Sequence, residues 1–261
     1  MIISLQGKRA LVGGSTQGIG RAIAIGLAES GAAVTLVARD ENKLKSVLSE
    51  LPQVQEGTHD YLVADYSKPE QLRETIQQYT TTQTIHILVN NTGGPSAGPI
   101  ISATTDAFIH AYEQHLICNH ILMQATVDGM KKSGYGRIIN IISTSVKQPL
   151  SNLGVSNTTR AAVANWAKTL ATELAPFGIT VNNVLPGATK TTRLESIIRN
   201  KAQNTSAAVD DIEAHMLAEI PAGRFAQAEE IANAAVFLAS PQAAYITGIN
   251  VPVDGGRTGC L

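Results

Sequence analysis

The stretch Arg9–Gly31, RALVGGSTQGIGRAIAIGLAESG, constrains the fold more than any other part of the chain. It opens on an apolar run (Ala10, Leu11, Val12) that reads as a buried strand. It turns through glycines and continues with apolar residues at helical spacing (Ile19, Ile23, Ala24, Leu27) as far as Gly31. Strand, glycine turn and helix together make the corner that binds a pyrophosphate. The helix N-terminus offers unpaired N–H groups and the positive end of its dipole, and glycines let the backbone approach an anion. Gly14, Gly18 and Gly20 are spaced G-x-x-x-G-x-G, not G-x-G-x-x-G, so the turn alone also fits close packing of a helix on a strand.

The alternation begun there runs to the end of the chain. Strand-like runs at 33–38, 59–64, 85–90, 137–142, 179–185 and 248–253 are separated by helical patterns at 41–51, 69–79, 104–132, 155–175 and 226–239. This rhythm predicts an α/β fold, a three-layer doubly wound parallel sheet (Rossmann-like) of about seven strands in one domain. Right-handed crossovers bring the strand C-termini to one edge, where ligands collect. The glycine turn, Arg39, Asp65, Asn90 and Ser143 are all expected there. The polar segment 191–221 breaks the rhythm and reads either as a lid over a substrate or as a surface helical pair.

Composition narrows the partners. A formal net charge of −1 over 261 residues, with no basic stripe, argues against a nucleic acid. No apolar run is long enough for a membrane span, and the first residues carry no signal-peptide pattern. Cys118 and Cys260 stand far apart in no metal-like spacing and read as reduced thiols of a cytoplasmic protein; no metal is expected.

The glycine turn, Asp65, Asn90-Asn91-Thr92-Gly93, Gly136-Arg137-Ile138-Ile139 with Ser143, Pro186-Gly187 with Thr191, and Gly248 through Asp254-Gly255-Gly256 occur in order. In this the chain resembles the short-chain dehydrogenase/reductase family, in particular its 3-oxoacyl-acyl-carrier-protein reductases. The resemblance implies a nicotinamide dinucleotide, a small-molecule carbonyl or alcohol substrate, and a homotetramer or dimer. By position, Gly14, Ser15, Gly18, Ile19 and Gly20 would hold the pyrophosphate and Asp65 would lie against adenine. Asn91 and Gly93 would flank the ribose, and Pro186, Gly187 and Thr191 the nicotinamide side. Asp65 and Asn91 also suit a helix cap and a turn former. Where a carboxylate at the end of the second strand would select NAD(H), this chain has Ala38 followed by Arg39, which favours NADP(H) unless Asp40 pairs with Arg39.

The reactive positions depart from the family pattern. Ser143 stands where the family's carbonyl-holding serine stands. The tyrosine position is Ser156, the lysine position Arg160, and the asparagine position His115. Serine lacks the acidity of a phenol, and arginine cannot pass on a proton at working pH. His115 is the one replacement expected to titrate near neutrality, with Tyr112 and Asn119 one turn away on its face, although a histidine satisfied within a helix interface is the simpler reading. Ser156 also suits a helix cap. Tyr135 and Lys147 are expected at the surface. Halohydrin dehalogenases keep the tyrosine and lose the glycines, the reverse of this chain. Two readings follow: an NADP(H)-dependent carbonyl reductase with atypical acid–base groups, or a non-catalytic NADP(H)-binding sensor or silent subunit.

Overall fold

The computed structural model describes residues 2–260. Seven parallel strands lie in one sheet: β1 (Arg9–Gly13), β2 (Ala33–Ala38), β3 (Asp60–Val63), β4 (Ile87–Asn90), β5 (Gly136–Ile141), β6 (Ile179–Pro186) and β7 (Asn250–Val253). Their spatial order is β3-β2-β1-β4-β5-β6-β7. The central strands are Val-, Ile- and Leu-rich because helices cover both faces. On one face α1 (Gly18–Glu29), α2 (Glu41–Glu50) and α9 (Ala228–Ala239) bury Ile23, Leu27, Leu44, Ile231 and Val236 against the sheet. On the other, α3 (Pro69–Thr80), α5 (Cys118–Ser133) and α6 (Gly154–Leu174) bury Leu72, Ile76, Leu122, Met130 and Leu170.

Local chemistry sets the helix ends. Asp40 caps α2 by accepting the Lys43 N–H at 3.1 Å, and Pro69 opens α3, where the N–H it lacks would be unpaired in any case. Gly134, in the left-handed region at φ 62°, closes α5.

The helix expected over 104–132 is interrupted. After α4 (Thr105–Tyr112) the backbone makes a π-helical turn, Glu113–Ile117, before α5. The extra residue rotates the face. His115 and Asn119 are buried, but Tyr112 points to solvent, so the three do not form one face.

A row of asparagines crosses the sheet. Asn90, Asn140, Asn183 and Asn250 are paired in register on β4, β5, β6 and β7. Each side-chain amide donates to the next Oδ1 at 2.8 Å. Asn90 therefore belongs to β4 and is buried inside the sheet, not in the crevice.

Segment 191–221 forms α7 (Thr192–Thr205) and α8 (Val209–Ala218). Leu194, Ile198 and Ile212 make a small apolar cluster there with Ile220 and Phe225.

Candidate active site

The strand order reverses between β1 and β4, and the crevice opens at their C-terminal ends. Its floor is the glycine turn. Gly14 and Gly18 have φ of 56° and 53°, which L side chains rarely adopt. A Cβ on Gly20 would lie 2.2 Å from the Gly14 carbonyl oxygen, so only glycine lets α1 start this close to β1. Gln17, the N-cap of α1, makes no side-chain cap bond, which leaves the first-turn N–H groups, Ile19's among them, open to an anion. Asn91 Nδ2 donates to the Gly13 carbonyl at 3.0 Å and more weakly to that of Gly14 at 3.4 Å, joining the loop after β4 to the turn. Gly93 borders open space.

Ser15 has a different role from the expected phosphate contact. It is fully buried, its hydroxyl accepts the Val37 N–H at 3.0 Å, and its own N–H points to the Val37 carbonyl. Both of its polar groups are used in tying the turn to β2.

At the far end of the crevice Arg39, Asp65 and Lys68 line a cavity of about 400 Å³. Asp40 does not pair with Arg39: it is used as the α2 cap and lies 3.8 Å from Lys43 Nζ. Arg39 faces Asp65 instead. Partial burial by itself raises the Asp65 carboxyl, but hydrogen bonds from Ser67 and the charges of Arg39 and Lys68 bring it below the usual carboxylate value. Asp65 also accepts the Ser67 N–H at 2.9 Å, but it is not the helix cap that is the alternative for it: the N-cap of α3 is Lys68.

Pro186-Gly187 ends β6 so tightly against Asp254 that a Cβ on Gly187 would lie 2.7 Å from its Cα. Thr191 caps α7 by accepting the Leu194 N–H at 3.3 Å, and its Cγ2 lies 3.1 Å from the position of a Cβ on Gly18. It thus touches the glycine turn while starting the segment above it.

α6, which carries Ser156 and Arg160, packs on the π turn of His115 and on the short turn that follows Ser143, and it brings Arg160 beside His115. Ser143 Oγ accepts the Ser145 N–H at 3.1 Å, which leaves its proton free to be donated to a carbonyl. Ser156 lies in the first turn of α6 and is not its cap; that position is Leu153. Arg160 is buried. Its Nη1 donates to the Ile141 carbonyl at 2.9 Å, while its Nε has no partner among the described residues. Burial, and then Arg193, pull its pKa down to about 10, so it stays charged at neutral pH.

His115 is not a group that titrates near neutrality. Burial, followed by the charges of Arg160 and Arg193, lowers its pKa to about 2, and its Nε2 is unpartnered. It is a neutral imidazole and cannot act as an imidazolium acid.

Two residues of the site were not foreseen. Arg193, two positions after Thr191, donates to the carbonyls of Gly94 at 3.1 Å and Pro95 at 3.0 Å, fastening α7 over the loop after β4. A single arginine in a polar segment carries no spacing signal. Tyr66 is buried with its hydroxyl 2.5 Å from where a Cβ on Gly13 would stand, so it backs the glycine turn. Tyr135, expected at the surface, is half-buried at the opposite edge of the sheet. It bonds the Ala239 carbonyl there and sits under Lys8 and Arg137.

A family model described as Enoyl-(Acyl carrier protein) reductase matches residues 14–258. The chain is 36% identical over 257 residues to the 3-oxoacyl-acyl-carrier-protein reductase FabG of Vibrio harveyi, covering 97% of this chain and 98% of that protein. It is 30% identical over 251 residues to the NADPH-dependent reductase BacG of Bacillus subtilis, covering 95% and 97%. Among solved structures, L-sorbose reductase from Gluconobacter frateurii complexed with NADPH and L-sorbose superposes with a TM-score of 0.92 at 32% identity, covering all of both chains. Matching such proteins over nearly its whole length, the chain belongs to the short-chain dehydrogenase/reductase family.

Proposed function

We propose that this protein is an NADP(H)-dependent oxidoreductase that reduces the carbonyl group of a small molecule. The observation that carries this reading is the glycine corner. The backbone of Gly14, Gly18, Ile19 and Gly20, braced by Asn91, leaves a cradle that a single added Cβ would fill. The relatives that bind NADPH support the choice of cofactor. So does Arg39, which has no carboxylate before it on β2 and whose neighbour Asp40 is used elsewhere.

When bound, the reduced dinucleotide supplies a hydride to the carbonyl carbon, and the dinucleotide is oxidised as the substrate is reduced. Ser143 holds the carbonyl oxygen with its free hydroxyl proton. Gly93, Pro186, Gly187 and Thr191 wall the nicotinamide end, and α7 and α8 close the site as a lid. The oxygen takes its proton from water, because neither Ser156 nor the neutral His115 is an acid of suitable strength. Proximity and orientation remain, so the enzyme is slow, not inert.

The companion reading, an NADP(H)-binding protein without turnover, is favoured by the same missing acid. Fluorescence titration with NADPH and NADH, followed by NADPH oxidation over a carbonyl panel, separates them. We expect tighter binding of NADPH and a slow turnover abolished by Ser143→Ala. Binding without turnover would favour the sensor, and failure to bind either nucleotide would reject both.

Assembly is part of the proposal. Ile109, Tyr112 and Ile117 are exposed along α4 and the π turn, beside an apolar groove shared with Thr158 and Thr159 of α6. A second copy of the chain seated there gives the homotetramer or dimer, which light scattering would detect. Cys118 and Cys260 are free thiols, as suits a cytoplasmic protein. Among the described residues no helix is long and apolar enough to cross a membrane.

A further inference from the structure

Arg160 and Arg193 reach the same corner of the crevice from different elements. A Cβ on Gly94 would lie 2.9 Å from Arg193 Nη2 and 3.4 Å from Arg160 Nη2, so the two Nη2 atoms are no further apart than those distances combined. The arginine ion pairs of the described residues are made by Arg21, Arg73, Arg199, Arg224 and Arg257; Arg160 and Arg193 have none. Both donate to backbone carbonyls only, and Arg160, buried, keeps an unpartnered Nε. His115 beside them is neutral and supplies no countercharge. Arg160 is buried and Arg193 is exposed beside it; the two guanidinium groups repel each other, and an anion that arrives from the solvent side would relieve that cost.

Two anions are available: a carboxylate on the substrate, or a phosphate of the dinucleotide. The phosphates already have the first turn of α1 and Arg39. Arg160 belongs to the other end. It lies one helical turn from Ser156, about 5–6 Å between Cβ atoms, and is anchored to the carbonyl of Ile141, two residues before Ser143. We infer that Arg160 and Arg193 form a carboxylate-binding site, and that the substrate is an oxo acid whose carboxylate stands one or two carbons from the reducible carbonyl. Paired guanidinium donors suit a planar carboxylate. This deepens the reductase reading and rests on it for the identity of the substrate, but the anion site itself can be tested without turnover.

The test uses the full chain and its variants Arg193→Gln, Arg160→Gln and Arg160→Lys. Thermal unfolding is followed with malonate and with neutral malonamide, alongside NADPH titration and kcat/KM for 2- and 3-oxo acids and their methyl esters. Malonate, and not malonamide, should raise the Tm of the wild type, and the effect should vanish in Arg193→Gln. The acid should be preferred over its ester, and Arg193→Gln should cut that preference by about 10- to 100-fold, the loss of one charge-assisted hydrogen bond. NADPH affinity should fall less than the acid preference does in Arg193→Gln. The proposal falls if malonate and malonamide act alike. It also falls if Arg193→Gln weakens NADPH binding and leaves the acid preference intact, which would assign the pair to a cofactor phosphate. A malonate effect that depends on Arg193 in a protein that ignores NADPH would uphold the anion site and remove the reductase reading. Arg160→Lys, which keeps the charge, guards against misfolding of Arg160→Gln.

Discussion

The side-chain amide of Asn91 donates to the carbonyl of Gly13 at 3.0 Å, and this bond makes the loop after β4 a wall of the glycine turn. Its removal tests whether the wall matters for the nucleotide. In Asn91→Ala the turn loses its brace, and NADPH affinity should fall about 5- to 10-fold, the worth of roughly 1 kcal/mol of hydrogen bonding. Fluorescence titration reads the change. An unchanged affinity would mean that the turn holds its shape alone.

Gly20 offers a steric test. An added methyl would meet the Gly14 carbonyl oxygen at 2.2 Å, and that backbone atom cannot move without shifting β1. Gly20→Ala should lose about 1–3 kcal/mol of stability and detectable NADPH binding with it. Gly93→Ala, where the methyl meets open space, should stay within about 0.5 kcal/mol of wild-type stability. Urea unfolding compares the two.

The proposed role of Arg39 in choosing the cofactor is open to a charge reversal. Arg39→Asp would remove a permanent cation and place a carboxylate next to the end of β2, able to bond a ribose 2′-hydroxyl and to repel a 2′-phosphate. The NADPH/NADH affinity ratio should fall on the order of 100-fold. A ratio that does not move would assign the 2′-phosphate to Lys68.

The buried His115 ties stability to pH. Its folded pKa, about 2, lies below the ordinary 6.5, so below about pH 6.5 the unfolded chain binds a proton that the folded one refuses. Stability therefore drops as pH falls from about 6.5 towards 2, by up to about 1.4 kcal/mol per pH unit from this group. His115→Asn should remove that part of the slope. A smaller part remains from His86, lowered by burial and then by Lys8 and Arg9. Unfolding curves between pH 4 and 8 give both slopes.

Restoring the missing acid is the most direct check on the chemistry. Ser156→Tyr with Arg160→Lys places a phenol and an ammonium one turn apart at the start of α6. Turnover should rise by about 10²–10⁴-fold, the usual worth of a positioned acid. NADPH oxidation kinetics measure it, and no gain would mean that the first turn of α6 does not face the substrate.

Most of the frame was legible in the residues because parallel strands buried on both faces read as near-continuous apolar runs, as Ala10-Leu11-Val12 of β1 and Ile87-Leu88-Val89 of β4 do. The glycine corner was legible for the same reason: its glycines are dictated by local backbone geometry. What stayed hidden depends on direction or on distant partners. Ser15 sits in the right loop but turns inward to Val37. The π turn around His115 leaves the apolar period on either side intact, so nothing in the spacing announces it. Asn90 ends a strand, as the run 85–90 suggests, but its amide partner lies on β5, which no local spacing shows. Arg193 gains meaning only from its meeting with Arg160 at Gly94.

The asparagine row has a consequence for how this chemistry can diverge. A slip of β5 or β6 by one residue would turn its amide to the opposite face and strand the neighbouring amides without partners. Alignment of the strand tips that carry Asn91, Ser143 and Pro186 is thus secured by side chains that no substrate meets. Side chains at the crevice that bond no strand, such as Arg39, can then change without disturbing that alignment, whereas Arg160 is bonded to β5 itself. Descendants of such a chain could lose one reaction and acquire another while their strands stay in step.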